Sequence, residues 1–155
     1  KSDGTRVFFK FSNVEILTRV IELQFPDYKS ILKSAQHDKK ILLNTKDFLS
    51  VLKRTLIFVR DNKDSKNGGI FSFENNKLIL TGISENAKIK EELATIQEGE
   101  NLKISLNVKF LVDYISIIGG KVTELKLLNS KSSVVVKDEA DDKSVYFTMP
   151  LALRE

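Results

Sequence analysis

The chain repeats a short sequence 63 residues apart, and this repeat constrains the fold more than any other feature. Leu43-Asn44-Thr45-Lys46 returns as Leu106-Asn107-Val108-Lys109. With no gap, the apolar residues spaced for one helix face in the first copy fall on apolar residues in the second. The coinciding pairs are Phe48 with Leu111, Val51 with Tyr114, Leu52 with Ile115, and Thr55 with Ile118. The sequence therefore predicts one structural unit used twice.

Each copy of the repeat predicts a helix that begins after an asparagine. Asn44 is a favourable N-cap for a helix over Thr45–Val59, because its side-chain oxygen can accept a hydrogen bond from a first-turn N–H. Asn107 takes the same place in the second copy. Gly119 and Gly120 follow the second apolar pattern and predict the end of that helix.

Strand patterns follow both predicted helices. Short apolar or alternating runs bounded by turn residues are typical of strands. They cover Ile70–Glu74, Lys77–Ile83 and Ala87–Ala94 in the first half, and Glu124–Leu128, Ser133–Lys137 and Ser144–Pro150 in the second. With a strand before each helix, the unit is β-α-β-β-β. Two copies predict an α+β domain with two helices on one face of antiparallel sheets, since each strand set needs a helix to cover its apolar side.

The first 28 residues predict a hairpin with no sheet of its own. Val7–Phe11 and Val14–Ile21 read as two strands joined by a tight turn. A two-stranded hairpin is marginal alone, so we expect residues 1–28 to be the end of a preceding domain. Residues 29–40 are then a linker and residues 41–155 a complete domain. Because the chain opens with Lys1 inside this pattern, we expect a fragment of a longer protein.

Composition excludes much chemistry. The chain has no cysteine and one histidine, and no apolar run approaches the roughly 18 residues of a membrane span. Phosphate-binding glycine motifs and nucleophile motifs are absent from the sequence. We therefore expect no enzyme, no metal, no cofactor and no membrane contact, in a cytoplasmic protein. His37 is interpreted as a solvated loop residue, and the acidic run 138–142 as a solvated hairpin loop.

Packing of the core alone does not explain three features of the sequence. Phe110 coincides with Asp47 in the repeat and so lies off the buried helix face. Apolar residues 149–153 continue past Pro150, where the last strand should stop, although they could simply seal a sheet edge. Four basic residues fall on the outer helix faces, which are usually only solvated but also suit a phosphate-facing surface. They are Lys46, Lys53, Arg54 and Lys109.

Several short motifs resemble one family in their order and spacing. They are Phe25-Pro26-Asp27-Tyr28 before the linker, Asn107-Val108 opening the second helix, Ser132-Ser133-Val134 in the penultimate strand, and Tyr146-Phe147-Thr148-Met149-Pro150-Leu151 at the end. Together they resemble the bacterial DNA sliding clamp, the beta subunit of DNA polymerase III. The resemblance runs from about Val7 to Leu153 and implies the end of the second clamp domain plus the complete third.

The resemblance implies a function without catalysis. Clamps form head-to-tail homodimeric rings that encircle duplex DNA without sequence preference, with helices lining the hole, and serve as processivity factors of replication. DNA polymerase III subunits, the clamp loader and repair polymerases attach through a short apolar peptide motif that enters a cleft. The basic residues of the outer helix faces would then face DNA. The open alternatives are a stand-alone peptide-binding adaptor without DNA contact and a small hydrolase.

The resemblance also assigns residues to two protein-contact surfaces. The partner-peptide cleft is implied to contain Pro26, Ile31, Asn107, Phe110, Ser133, Thr148, Met149, Pro150, Leu151 and Leu153. Lys66, Lys131, Ser30 and Ala152 depart from the family pattern around this cleft, and the departures affect its peptide preference. The ring-dimer interface is implied to contain Phe58 and Val59 at the end of the first helix, and Glu91 and Glu92 facing basic residues of the neighbour.

Overall fold

The computed structural model describes residues 2–30, 37–61, 66–141 and 143–152. The chain divides into two compact units, residues 1–34 and 35–155. The first unit contains β1 (Arg6–Phe11) and β2 (Val14–Arg19), an antiparallel hairpin that turns at Ser12 in a left-handed backbone conformation. Apolar side chains on both faces of this hairpin are exposed, including Phe8, Phe9 and Leu17.

The second unit holds two antiparallel sheets and two helices. Its elements are β3 (Lys39–Asn44), α1 (Thr45–Val59), β4 (Gly68–Glu74), β5 (Lys77–Ile83), β6 (Lys88–Ala94), β7 (Ile96–Glu98), β8 (Leu102–Asn107), α2 (Val108–Ile115), β9 (Val122–Leu127), β10 (Val134–Asp138) and β11 (Val145–Thr148). The five-stranded sheet has the order β11-β10-β9-β3-β7, and the four-stranded sheet the order β6-β5-β4-β8. The expected α+β architecture with a doubled β-α-β-β-β unit is confirmed.

Both helices begin where the repeat predicts, but only α1 also ends where predicted. Asn44 caps α1, accepting hydrogen bonds from the backbone N–H groups of Lys46 and Asp47, both at 3.1 Å. Helix α1 has the predicted bounds. Helix α2 is shorter than predicted, since it is capped at Ser116 and the two glycines lie in the loop beyond. The glycine signal therefore marks the loop and not the helix end.

One core lies between the helices and the sheets. Alternate residues of the strands point inward and meet the buried faces of α1 and α2. The largest fully buried side chains are Phe48, Phe71, Phe73, Ile41, Leu43, Leu52, Leu78, Leu80, Ile104, Leu106, Leu111 and Ile115. Helix α1 approaches β5 closely at Gly82, where a Cβ would lie 2.9 Å from side-chain carbons of Thr55 and Val59. In the described residues, no helix is long and apolar enough to cross a membrane.

Each half of the domain ends by crossing back to the sheet that holds its first strand, and strand β7, formed after the first of these crossings, was not predicted. After β6, the chain passes to the other sheet and pairs Ile96 with Leu42 as the short strand β7. After β11, it passes back and pairs Leu151 with Ser105. We call residues 94–96 the first crossing segment and residues 149–151 the second crossing segment. A three-residue strand carries too little alternation to be recognised in the sequence.

Candidate functional site

The second crossing segment brings the C-terminal residues to the start of α2. The backbone N–H of Leu151 donates to the carbonyl of Ser105 at 2.8 Å, and Ser105 lies two residues before the helix cap. On the preceding strand, Thr148 pairs with Val134 and is buried. Ser133, immediately before Val134, is partly buried. Residues far apart in sequence therefore meet at one end of the domain.

The N-terminus of α2 carries the exposed aromatic. The Asn107 side-chain oxygen accepts a hydrogen bond from the Phe110 backbone N–H at 3.1 Å, which fixes the first turn. Val108 and Leu111 are fully buried, whereas 50% of Phe110 is exposed. The prediction that Phe110 lies off the buried face is confirmed. An aromatic side chain left half in water can contribute apolar area to a partner.

A shallow groove of about 470 Å³ lies along the second crossing segment. Its lining residues are Ser130, Lys131, Pro150, Leu151 and Ala152. Next to it, the Met149 side chain is exposed. A concave surface with apolar side chains and a few polar groups suits a short peptide. Of the other cleft residues expected, Pro26 belongs to the unit of residues 1–34, while Ile31 and Leu153 lie outside the described residues.

A tyrosine pair holds the last strand against α2. The rings of Tyr114 and Tyr146 stack with centroids 4.9 Å apart, and the Tyr114 hydroxyl donates to the carbonyl of Ser144 at 3.3 Å. Burial raises the pKa of Tyr146. The repeat placed Tyr114 on the buried helix face, but it gave no signal for its contact across the domain. This pair supports the strand that leads into the second crossing segment.

His37 lies beside Ser133, and the expectation of a solvated ring is wrong. Its Nε2 atom is buried without a hydrogen-bond partner in the described residues. Burial lowers the pKa of His37, opposed by a hydrogen bond from the ring to the Ser133 carbonyl; Lys126 lowers this pKa further and Asp38 raises it. The ring therefore prefers its neutral form more than a solvated histidine does.

This environment predicts a pH-dependent stability. Because the folded-state pKa of His37 lies below its usual value of 6.5, the unfolded chain binds more protons as pH falls through that value. The free energy of unfolding should rise with pH through this window and level off about one unit above pH 6.5, where the ring of the unfolded chain is also deprotonated. Urea unfolding at several pH values between 5 and 7.5 measures it. The chain has one histidine, so His37→Gln should flatten the profile; an unchanged slope in that variant would refute the assignment.

The basic residues of the helix faces differ in how their charge is compensated. Lys46 and Lys53 are exposed and have no ion-pair partner in the part of the chain that the structure describes. Lys109 lies 2.6 Å from Asp113. Arg54 donates two hydrogen bonds to the carboxylate of Glu91, at 2.6 and 2.9 Å. Of these four residues, Lys46 and Lys53 are therefore the cations more available to a phosphate.

Arg54 and Glu91, which were assigned to two different surfaces, form an ion pair with each other. The sequence assigned Arg54 to a DNA-facing surface and Glu91 to a subunit interface, yet the two side chains are in direct contact. The hydrogen bonds from Arg54 lower the pKa of Glu91, and the same bonds raise the pKa of Arg54. A bidentate arginine–carboxylate pair satisfies both groups within one chain. Neither charge is therefore fully available to a separate partner.

The end of α1 requires a correction to the predicted interface. Val59 is fully buried in the core, so it cannot contact a neighbouring subunit. Phe58 is partly buried, and Ile57 is 71% exposed. The apolar surface at this helix end is therefore formed by Ile57 and Phe58. The helical spacing was predicted correctly, but Val59 was assigned to the surface although it belongs to the core.

Comparisons with known proteins agree with this architecture. A family model described as DNA polymerase III beta subunit, C-terminal domain, matches residues 29–152. A "Beta sliding clamp" from Staphylococcus epidermidis is 27% identical over 151 residues, covering 96% of this chain and 39% of that protein. One from Pseudomonas aeruginosa is 28% identical over 137 residues, covering 88% of this chain and 36% of that protein. The chain thus spans about two fifths of the length of these relatives.

Solved structures show the same fold. A DNA polymerase III beta subunit from Thermotoga maritima matches with a TM-score of 0.82 at 26% identity, over 99% of this chain and 41% of that one. A Pseudomonas aeruginosa DNA polymerase sliding clamp matches with a TM-score of 0.84 at 24% identity, over 97% and 40%. The doubled unit and its two crossings define a sliding-clamp domain. The chain belongs to the family formed by the C-terminal domain of the beta subunit of DNA polymerase III.

Proposed function

We propose that this chain is part of a processivity clamp of bacterial DNA replication, a non-catalytic cytoplasmic protein. In this proposal, a head-to-tail dimeric ring encircles duplex DNA and tethers polymerases, the clamp loader and repair proteins through a peptide cleft. The observation that carries it is the groove along the second crossing segment, beside the half-exposed Phe110, in a domain of the beta-subunit family.

The domain proposal places residues 1–28 at the end of a second clamp domain, residues 29–40 in a linker and residues 41–155 in the third domain, whose first strand begins slightly earlier than proposed, at Lys39. The exposed hairpin supports it. Phe11, Val14, Ile16 and Leu17 are each at least half exposed in the first unit. A two-stranded hairpin with apolar residues on both faces needs further protein to cover it.

The cleft proposal combines an apolar surface with polar groups that can fix a peptide backbone. Phe110, Met149 and Leu151 supply the apolar part, and Asn107 and Ser133 the polar part. Strand β11 ends at Thr148, so the main-chain groups of Met149 and Pro150 lie outside the sheet ladder. The family resemblance assigns Pro26, Ile31 and Leu153 to the same cleft.

The DNA-facing proposal rests mainly on Lys46 and Lys53, seven residues apart on the exposed side of α1. Contacts between lysines and phosphates are not sequence-specific and weaken steeply as salt rises, because binding releases condensed counterions. Arg54 and Lys109 belong to the same proposed surface, but their charges are compensated by Glu91 and Asp113. We expect them to contribute less.

A salt titration tests this ranking. Binding of this chain to a random-sequence duplex should be weak, and each lysine–phosphate contact should add about 0.9 to the slope of log affinity against log salt. Lys46→Ala with Lys53→Ala should therefore reduce the slope by about 2. Lys109→Ala is the matched control and should change it less. The proposed surface would be contradicted if Lys109→Ala reduced the slope as much as the double variant does. A preference for one DNA sequence would also contradict it.

The whole function is tested in the full-length protein that contains this chain. A ring that encircles DNA should be retained on a closed circular plasmid and lost when one cut linearises the plasmid, because linear ends let it slide off. Gel filtration of the two mixtures at about 0.15 M salt, after incubation with the clamp loader and ATP to open the ring, measures this. An adaptor without DNA contact would elute free of both forms, and that result would overturn the proposal.

A further inference from the structure

The groove along the second crossing segment has one charged residue in its described lining. Ser130, Pro150, Leu151 and Ala152 are uncharged, and Lys131 is basic. Lys131 is exposed and has no ion-pair partner among the residues that the structure describes. It departs from the family pattern around the cleft, so this charge is a feature of this chain. The described lining therefore carries a positive charge and no carboxylate that would compensate it.

Hydrogen bonds hold both parts of this lining in place. The side-chain oxygen of Asn129 accepts from the backbone N–H groups of Lys131 and Ser132, at 2.9 and 2.8 Å. Such a turn fixes the backbone of the loop between β9 and β10. The C-terminal part is fixed by the bond from the Leu151 N–H to the Ser105 carbonyl at 2.8 Å. The groove is therefore formed before a ligand binds, which lowers the entropy cost of binding.

A second lysine without an ion-pair partner lies near the start of α2. Lys66 is exposed and makes no ion pair within the described ranges. The carbonyl of the next residue, Asn67, accepts from the Val108 N–H at 2.8 Å, which places the backbone of Lys66 close to the first turn of the helix. The acidic residue of α2, Asp113, is already paired with Lys109 at 2.6 Å. This end of the domain therefore favours an anionic ligand.

Exposed apolar side chains lie at the same end of the domain. Phe110 is 50% exposed and Met149 is 59% exposed, while Leu151 lines the groove. Apolar contacts supply most of the affinity of a small interface, and charges beside them discriminate between ligands. A ligand that suits this surface therefore combines large apolar side chains with negative charge, whereas a basic ligand would bring like charges together.

We infer that the cleft selects a partner peptide in which an acidic residue adjoins the large apolar residues, and that Lys131 sets this selectivity. The Lys131 ammonium group pairs with the peptide carboxylate, while the apolar side chains of the peptide pack on Phe110, Met149 and Leu151. Because the ion pair is exposed, it contributes more to specificity than to affinity. The inference rests on the proposed function, since it takes the peptide cleft as the site.

The test is calorimetry of the full-length protein that contains this chain with three blocked peptides. The probe is acetyl-Glu-Leu-Leu-Glu-amide, in which acidic residues flank the apolar pair so that either chain direction is allowed. Gln or Lys replaces both Glu residues in the other two. At about 0.05 M salt, we expect the Glu peptide to bind about three- to fivefold more tightly than the Gln peptide, and the Lys peptide to bind most weakly. Salt at about 0.5 M should reduce this difference by screening the pair.

Substitutions at exposed lysines assign the charge. Lys131→Glu should abolish the preference for the Glu peptide over the Gln peptide, and Lys66→Gln should reduce it less, because Lys66 is not in the groove lining. Lys121→Glu is the matched control for net charge. Lys121 is also exposed and without an ion-pair partner in the described residues, but its carbonyl accepts from the Thr45 N–H at the start of α1. This variant should keep the order of the three peptides.

Two results would overturn the inference. They are equal binding of the Glu and Gln peptides to the unsubstituted protein, and a loss of preference in Lys121→Glu as large as in Lys131→Glu. If the peptides still bind in either case and Phe110→Ala weakens all three, the cleft of the proposed function stands without the charge selectivity. Absence of binding by all three peptides would overturn the cleft as well, so the two failures are distinguishable.

Discussion

Ring dissociation is the expected result when Ile57 and Phe58 are both replaced by alanine in the full-length protein. The end of α1 presents apolar area that nothing in the described part of this chain covers, and Ile57 is largely exposed. If this area is buried against a neighbouring subunit, truncating both side chains should cost about 2 to 5 kcal/mol of association free energy. The dimer dissociation constant should rise roughly 30-fold to several thousand-fold, measured by analytical ultracentrifugation.

Val59→Ala is the matched control for the ring. Val59 is adjacent in sequence but fully buried, so its truncation should lower the free energy of unfolding by about 1 to 3 kcal/mol and leave association of the folded protein unchanged. Ile57→Ala should show the opposite pattern. A ring that remains intact at nanomolar concentration in the double variant would place the interface elsewhere.

The two acidic residues of the proposed ring interface should contribute unequally to subunit association. Glu91 is engaged by Arg54, whereas Glu92 lies 3.8 Å from Lys77 and Lys90 in exposed, long contacts. Exposed pairs of that kind contribute little and are screened by salt. Glu92 is therefore the more available of the two predicted acidic contacts for a basic residue of a neighbouring subunit.

The repeat explains why so much of the fold could be predicted from the sequence. Asn44 and Asn107 are local signals, since an N-cap acts through hydrogen bonds within one turn. The buried faces of both helices follow from a spacing of three and four residues. The end of α2 could not be predicted in the same way, because the helix stops at Ser116 before the glycines that mark the loop.

The placement of some candidate site residues could be predicted from the sequence, and their contacts could not. Phe110 could be recognised because the repeat supplies a reference position, Asp47, that is off the buried face. The bond between Leu151 and Ser105 and the contact of Arg54 with Glu91 join residues 46 and 37 positions apart. Such contacts depend on how sheets and helices pack, which local patterns do not encode. For the same reason the burial of His37 was missed.

Phe110→Ala should reduce the affinity of the intact clamp for an apolar partner peptide by about 30-fold or more, the loss typical of a central aromatic contact. The fold should be retained, since half of this ring is already in water and the α2 core face is untouched. Truncation after Pro150 should also weaken binding, because it removes Leu151 and its hydrogen bond to Ser105. Ile117→Ala is the control: this side chain, just beyond α2, is 79% exposed and belongs to no proposed surface. Calorimetry with a short peptide carrying two large apolar side chains measures all three, and equal affinities for Phe110→Ala and Ile117→Ala would refute the cleft even with the fold intact.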